Sequence, residues 1–214
     1  MHLVSEKKCP YCNVNLPKEP KRGSKCSKCG EVFHVVGRPS DKQKVITTEE
    51  EFRVFNFRKD LEFFYLDNPR EFEKALEAAR KGLRSQFGHE PKERDVLWRL
   101  ANDIIVQKAE SGDFLNLPQV YLVMALFLHR IGETNFELLK AHHAATLEHF
   151  KRQNIKNVSI LTSSCCATCQ KLGDKKMEIN TALKEMPIPS KNCTNKINVK
   201  APDGWCVCAY ILAH

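Results

Sequence analysis

Ten cysteines carry most of the chemistry that this 214-residue chain can perform, and they fall into two groups. The first group lies in residues 9–30 and the second in residues 165–208, with no cysteine between them. Both groups contain Cys-x-x-Cys pairs, which in a reducing compartment bind metal more often than they form disulfides. The two groups therefore predict two metal sites. The candidate metal ligands are Cys9, Cys12, Cys26, Cys29, Cys166, Cys169, Cys193, Cys206 and Cys208.

The first group consists of two Cys-x-x-Cys pairs, CPYC and CSKC, separated by thirteen residues. A Cys-x-x-Cys turn directs two sulfur atoms at one point, and a second such turn completes a tetrahedron around zinc. Pro10 favours the first turn, and Gly30 can adopt the positive φ that is often needed after the second. Because four thiolates leave no coordination position for water or substrate, we expect a structural zinc ion and no catalysis here.

Strand-forming residues follow the second pair: Val32, Phe33, Val35 and Val36. With the two pairs they make a pattern that resembles a zinc ribbon over roughly the first 40 residues. His34 is expected to be an ordinary strand residue, because the four cysteines already complete the ligand set. The basic stretch KEPKRGSKCSK can contact phosphates, although a solvated loop explains it equally well. Tyr11 and Phe33 are the aromatic residues of this region that base stacking would require.

The second group offers six thiols for the four ligand positions of a zinc ion. If the segment WCVC belongs to a strand, Cys206 and Cys208 face the same side of it and both can reach one metal. Cys165 points away from whatever Cys166 binds and is expected to pack as a small apolar residue. The most economical ligand set is Cys166, Cys169, Cys206 and Cys208, with Cys193 as an alternative member.

Three other interpretations of the second group stay open at the level of sequence. The Cys-Ala-Thr-Cys segment can be a thiol-redox site, but redox-active pairs normally open a helix after a strand, and the following QKLGDKK is typical of a turn. A cysteine nucleophile needs a base, and the sequence identifies none. The thiols can also be buried without metal. Zinc is the interpretation we favour for this group, as a second site.

The C-terminal cysteines occur in a recognisable order of motifs. A Leu-Gly-Asp-Lys turn, a short helix, the segment MPIP and Cys193 precede the final Cys-Val-Cys. This order resembles the cysteine-rich C-terminal motif of phage head morphogenesis proteins of the Mu F type, over roughly the last 55 residues. That family has Asp-Gly in the turn, Arg at the position of Val207, and a His where Ser190 and Lys191 stand here. The resemblance implies a virion- or prophage-associated role and supplies no catalytic residue.

The elements that must position these cysteines differ along the chain. Residues 47–155 have the periodicity of four or five helices in a small bundle or array. Thr47 or Thr48, followed three residues later by Glu50 or Glu51, predicts the first helix start through a capping box. A later segment places apolar residues at three- and four-residue intervals before Gly88: Phe72, Leu76, Ala79 and Leu83.

From residue 157 the pattern changes to a strand in NVSILTSS, a short helix in INTALKEM and a closing strand in WCVCAYIL. We therefore predict an α+β protein in three parts. These are a zinc ribbon in residues 1–46, a helical domain in 47–155, and a cysteine-rich α+β domain with the second zinc site in 156–214.

Four histidines lie in the helical part: His129, His142, His143 and His149. His142 and His149 are seven residues apart, which places them on one helix face but about 10 Å apart along its axis, too far to bind one ion. No His-Glu-x-x-His motif is present, so a metalloprotease has no support. We expect these histidines to be ordinary surface or core residues.

The net charge of +8 is concentrated at the two cysteine-bearing ends. Basic residues outnumber acidic ones by ten to four in residues 1–46 and by ten to three in 151–200, whereas 47–150 hold fourteen against eighteen. This distribution is compatible with a polyanion at the ends. Each zinc held by four thiolates lowers the charge by two, so two sites would leave about +4.

Neither a signal region nor a membrane span is predicted, because MHLVSEKKCP is polar and the longest apolar run, VYLVMALFL, is too short. We expect a cytoplasmic protein, or a virion-associated one if the phage resemblance holds. The function we predict is a non-enzymatic, zinc-stabilised binding protein that contacts nucleic acid or a phage or host protein through its basic ends. The alternatives are a protein-only morphogenesis component, and a nuclease-like enzyme that would need groups such as Asp174, His142 and His149 in one cleft.

Overall fold

A computed structural model of the chain describes residues 2–3, 6–16, 20–21, 23–38, 43–162, 166–173 and 175–213. The architecture is α+β, as predicted, with one cysteine cluster near each end of the chain. The chain divides into two compact units, Met1–Lys59 and Asp60–His214. The predictions for Cys165 and Asp174 lie outside the described residues.

The first unit is built on a four-stranded antiparallel sheet in the order β1-β4-β3-β2. Its strands are β1 His2–Leu3, β2 Ser24–Lys25, β3 Val32–Gly37 and β4 Lys44–Thr47. Phe33 on β3 and Ile46 on β4 are buried together with Leu16, Cys9 and Cys26. This hydrophobic cluster is small and includes two of the candidate metal ligands.

Helix α1, Glu49–Glu62, begins with the predicted capping box. The backbone N–H of Thr48 donates to Oε2 of Glu51 at 2.9 Å, and the backbone N–H of Glu51 donates to Oγ1 of Thr48 at 3.2 Å. Two N–H groups that the helix itself cannot satisfy are thereby paired.

Five helices lie in the middle of the chain, within the predicted number. After α1 and a 3₁₀ turn at Phe63–Tyr65, they are α2 Pro69–Phe87, α3 Glu93–Ser111, α4 Leu117–Ile131 and α5 Phe136–Arg152. In α2 the buried side chains are the four predicted ones. The helix ends at Gly88 with a φ of 72°, a conformation that glycine adopts without strain.

The C-terminal residues form a three-stranded antiparallel sheet in the order β6-β5-β7 with two short helices. The elements are β5 Asn157–Leu161, α6 Ala167–Gln170, β6 Met177–Glu178, α7 Ile179–Glu185 and β7 Ala209–Leu212. The closing strand thus begins later than WCVC predicts. The reason is that the Trp205 N–H bonds the Asn195 carbonyl at 2.6 Å and so pairs with a loop.

Helices α4 and α5 share a hydrophobic core with the C-terminal sheet and α7, so the cysteine-rich residues pack onto the helical part within one unit. Leu139 and Leu147 of α5, Val158 and Ile160 of β5, and Tyr210 of β7 are buried in this core. Across the residues described, no helix combines the length and apolarity that crossing a membrane would require.

Candidate metal centres

The N-terminal centre brings together the four cysteines predicted for it. Their Sγ atoms all lie within 4.8 Å of one another. Sγ of Cys9 lies 3.7 Å from that of Cys29, and Sγ of Cys12 lies 3.8 Å from that of Cys26. A tetrahedral zinc ion with Zn–S bonds of about 2.3 Å has S–S edges of about 3.8 Å. The sulfur positions therefore fit zinc.

The two turns of this centre have the same backbone hydrogen bonds. Asn13 N–H donates to the Cys9 carbonyl, and Gly30 N–H donates to the Cys26 carbonyl, both at 2.9 Å. Each turn closes on a residue with positive φ, 57° at Asn13 and 75° at Gly30. The conformation of Gly30 is as predicted, whereas Asn13 was missed. Asparagine is one of the few other residues that tolerates this conformation, so CPYCN carried the signal.

Backbone N–H groups favour charge on the sulfur atoms of the N-terminal centre. Hydrogen bonds from the N–H groups of Cys29 and Lys28 lower the pKa of Cys26 to about 6. At Cys29 the N–H of Glu31 acts in the same direction, but desolvation and the neighbouring thiols outweigh it and raise the pKa to about 12. A bound cation would offset the repulsion between thiolates at this centre.

The C-terminal centre has a different arrangement, two overlapping groups of three. One group is Cys166, Cys169 and Cys193; the other is Cys169, Cys206 and Cys208. Within each group the Sγ atoms lie within 4.8 Å of one another, and Cys169 belongs to both. The Cys166–Cys193 and Cys169–Cys206 Sγ distances are both 3.9 Å. All five are buried except Cys166, which is partly exposed.

Three segments bring these five sulfur atoms together. Cys166 and Cys169 flank the first turn of α6, whereas Cys206 and Cys208 lead into β7. Val207 between them is 45% exposed. Cys206 and Cys208 therefore face one side of the chain and Val207 the other, as predicted, although the strand begins later. Cys193 lies on a loop that Asn195 and Trp205 close through two hydrogen bonds.

The C-terminal centre repeats the electrostatic pattern of the first. N–H groups of Cys169 and Thr194 lower the pKa of Cys166 to about 6. Burial raises the pKa of Cys169 and raises that of Cys193 to about 11. A bound cation stabilises the thiolate form, so it would lower the pKa of the buried thiols and allow them to ionise. Both cysteine clusters can thus hold metal ions.

His129 fixes the loop that carries Cys193. The buried Nε2 of His129 accepts hydrogen bonds from the N–H groups of Ile197 and Asn198, both at 3.1 Å. A neutral ring that accepts at Nε2 carries its proton on Nδ1, which lies 2.9 Å from the side-chain amide of Asn135. The Asn135 oxygen must therefore face this proton, and this orientation also gives the otherwise unpaired buried Oδ1 a partner.

Asp203 attaches the same loop to the start of α5. Its carboxylate accepts from the N–H groups of Asn135 at 2.9 Å and Phe136 at 3.2 Å, and from the Thr134 hydroxyl. It therefore caps a helix from a position 68 residues further along the chain. Neither His129 nor Asp203 was recognised in the sequence as a positioning residue, because their partners are remote.

Replacing His129 with alanine is expected to lower the free energy of unfolding by about 2–4 kcal/mol, since two backbone N–H groups lose their acceptor and the buried ring leaves a cavity beside Trp205. His129→Gln, which keeps a side-chain acceptor, should recover part of this loss. Denaturant unfolding of the zinc-loaded protein measures both. Equal losses in the two variants would show that only the ring volume matters.

The histidine also predicts a pH dependence. Burial lowers the pKa of His129, with Lys196 adding to this effect and Asp203 opposing it. The neutral ring is favoured in the folded state, so its contribution is complete above the unfolded pKa of about 6.5 and is lost as the pH falls towards the lower folded value. The stability difference between wild type and His129→Gln should shrink from about pH 8 to pH 5. A constant difference would contradict the assigned tautomer.

Three further histidines of the described residues have surroundings of their own. On β3, His34 donates from Nε2 to Glu49 at 2.6 Å and stacks on Phe52. His142 donates to the Pro118 carbonyl at 2.8 Å, and burial lowers the pKa of His143 to about 3. Where residues are described, every group of three or more potential metal ligands consists of cysteines alone.

No family model, no curated protein and no solved structure matches this chain. The two cysteine clusters are therefore the features on which a functional argument can rest.

Proposed function

We propose that the protein is a non-enzymatic binding protein that zinc stabilises at both thiolate centres, and that its N-terminal ribbon contacts nucleic acid. The observation that carries the proposal is the composition of the centres. The N-terminal centre offers four mutually close thiols, and the C-terminal centre offers five in two groups of three that share Cys169. Four thiolates around one ion leave no open position for water or substrate. Metal in such a site supports folding rather than catalysis.

Exposed lysines support contact with phosphates at the ribbon. They lie beside and between the two turns: Lys7, Lys8, Lys21, Lys25 and Lys28. Phe33, one of the two aromatic residues considered for base stacking, is only 2% exposed and is excluded from that role. Tyr11 is 40% exposed, but its hydroxyl accepts from the Glu49 N–H at 2.7 Å, which restricts the ring. Binding through phosphates, with little discrimination of sequence, fits these side chains best.

Two alternatives follow from the sequence. A protein-only role in phage morphogenesis rests on the C-terminal motif, and it predicts no salt-sensitive nucleic-acid binding. A nuclease-like enzyme has less support, because His142 and His149 have different partners and the described metal-ligand groups contain no carboxylate.

Salt dependence of DNA binding tests the proposal. The binding constant of the zinc-loaded chain for a short duplex should fall steeply with salt, with a log–log slope of about −0.9 for each phosphate contacted. Lys25→Gln with Lys28→Gln should reduce that slope by about 1 to 2. Lys81→Gln with Lys140→Gln, exposed positions of the helical part, is the matched control and should leave the slope unchanged. Weak binding with a flat salt dependence would refute nucleic-acid contact and favour a protein partner.

A further inference from the structure

The C-terminal centre has one more thiol than a tetrahedral ion can use. Four cysteines surround the N-terminal centre, and all four are mutual neighbours. Five surround the C-terminal centre, and they are not all neighbours of one another. Since the two groups share only Cys169, a tetrahedral ion at this centre must take its four ligands from both groups, and one thiol of the five is left over.

Two Sγ–Sγ distances favour one set of four ligands without excluding another. The two 3.9 Å pairs, Cys166–Cys193 and Cys169–Cys206, correspond to the two close pairs that cross between the turns of the N-terminal centre. Cys208 is outside these pairs, yet its Sγ lies within 4.8 Å of both Cys169 and Cys206. Cys208 is also only 3% exposed, so a thiol in this position faces the centre rather than solvent.

We propose that Cys193 and Cys208 alternate as the fourth ligand of one metal ion at this centre. The three ligands that stay bound are Cys166, Cys169 and Cys206. This inference rests on the proposed zinc site and adds that its ligand set is exchangeable, unlike that of the N-terminal centre.

The exchange is chemically balanced and needs no redox partner. As the Cys208 sulfur binds the ion it gives up its proton, and the departing Cys193 sulfur takes one up, so the net charge of the centre is unchanged. Zinc tolerates a transient fifth ligand, which provides a path between the two sets. His129 and the Asn195–Trp205 hydrogen bonds hold the loop of Cys193. Cys208 leads directly into β7, so the two cysteine side chains are the parts that move. The centre would therefore retain its ion when either thiol is lost to oxidation or alkylation.

Metal content of single and double variants of the full-length chain tests the inference. Cys193→Ala and Cys208→Ala should each keep two zinc ions per chain, with affinity at the C-terminal centre lowered less than about tenfold. The double variant should lose at least about a hundredfold in affinity, because only three thiolates remain. Cys12→Ser is the matched control at the N-terminal centre, where no fifth thiol can substitute, and it should lose one ion.

Cobalt(II) absorption and alkylation report which thiols bind the ion. A purely structural role of Cys193 or Cys208 would not change either readout. With cobalt in place of zinc, both single variants should retain the visible absorption of a tetrahedral four-thiolate site, and the double variant should not. In the zinc-loaded wild type, N-ethylmaleimide should modify Cys193 in some molecules and Cys208 in others.

Several results would overturn the exchange. These are loss of the second ion in either single variant, retention in the double variant, or labelling confined to Cys208. A wild type with fewer than two zinc ions would instead refute the proposed function itself, and the inference with it.

Discussion

Replacing Cys26 with serine is expected to remove the zinc ion from the N-terminal centre and to unfold the ribbon. The hydrophobic cluster around that centre is small, since Leu16, Phe33 and Ile46 are its buried side chains besides cysteine. Three such side chains contribute roughly 5–9 kcal/mol, and ordering some forty residues costs several times more in conformational entropy. A structural zinc ion supplies about 10–16 kcal/mol of apparent binding free energy, which exists only in the folded state.

Two measurements check this result. Elemental analysis should show zinc falling from two ions per chain to one, and amide exchange should become fast across β2, β3 and β4 while α3 and α4 stay protected. Lys28→Ser is the control, because this exposed neighbour supplies only a backbone N–H to the centre. If the Cys26→Ser ribbon keeps slow exchange without zinc, the sheet is stable by itself and the metal has another role.

The arrangement of the N-terminal centre is predictable from sequence because everything that forms it is local. Each Cys-x-x-Cys pair is held by its own turn, and the residue that closes each turn, Asn13 or Gly30, directly follows the second cysteine. The capping box of Thr48 and Glu51 is equally local, and so are the four buried residues of α2. Interactions between residues three or four positions apart are the ones that sequence periodicity records.

The C-terminal centre is less predictable because its geometry depends on remote contacts. His129 bonds backbone N–H groups 68 and 69 residues later, and Asp203 caps a helix 68 residues earlier. No spacing rule links such positions, so the approach of Cys193 to Cys166 could not be ranked above that of Cys208. The same reason accounts for the late start of β7, where Asn195 takes the hydrogen bonds of Trp205.

Gly204→Ala is expected to open the loop that carries Cys193, because no room exists for a methyl group. A Cβ at this position would lie 2.7 Å from the carbonyl carbon of Cys193 and 2.8 Å from its Cβ, and would overlap the carbonyl oxygen. These atoms are backbone or adjacent to it, so a rotamer change cannot relieve the clash. The hydrogen bonds between Asn195 and Trp205 hold the two sides of the loop together and prevent an easy separation.

The loop must therefore open, and Cys193 must move away from Cys166. We expect a loss of about 2–4 kcal/mol in the free energy of unfolding. Both zinc ions should be retained, with affinity for the second lowered less than about tenfold, because Cys208 takes the place of Cys193. Gly82→Ala is the matched control: it lies within α2, nothing lies within 4 Å of its added Cβ, and alanine should stabilise the helix by up to about 1 kcal/mol. If Gly204→Ala instead releases the second zinc ion, Cys208 does not take the place of Cys193, and the ligand set is not exchangeable. A variant with wild-type stability would show that the loop is not packed as closely as the Gly204–Cys193 contact demands.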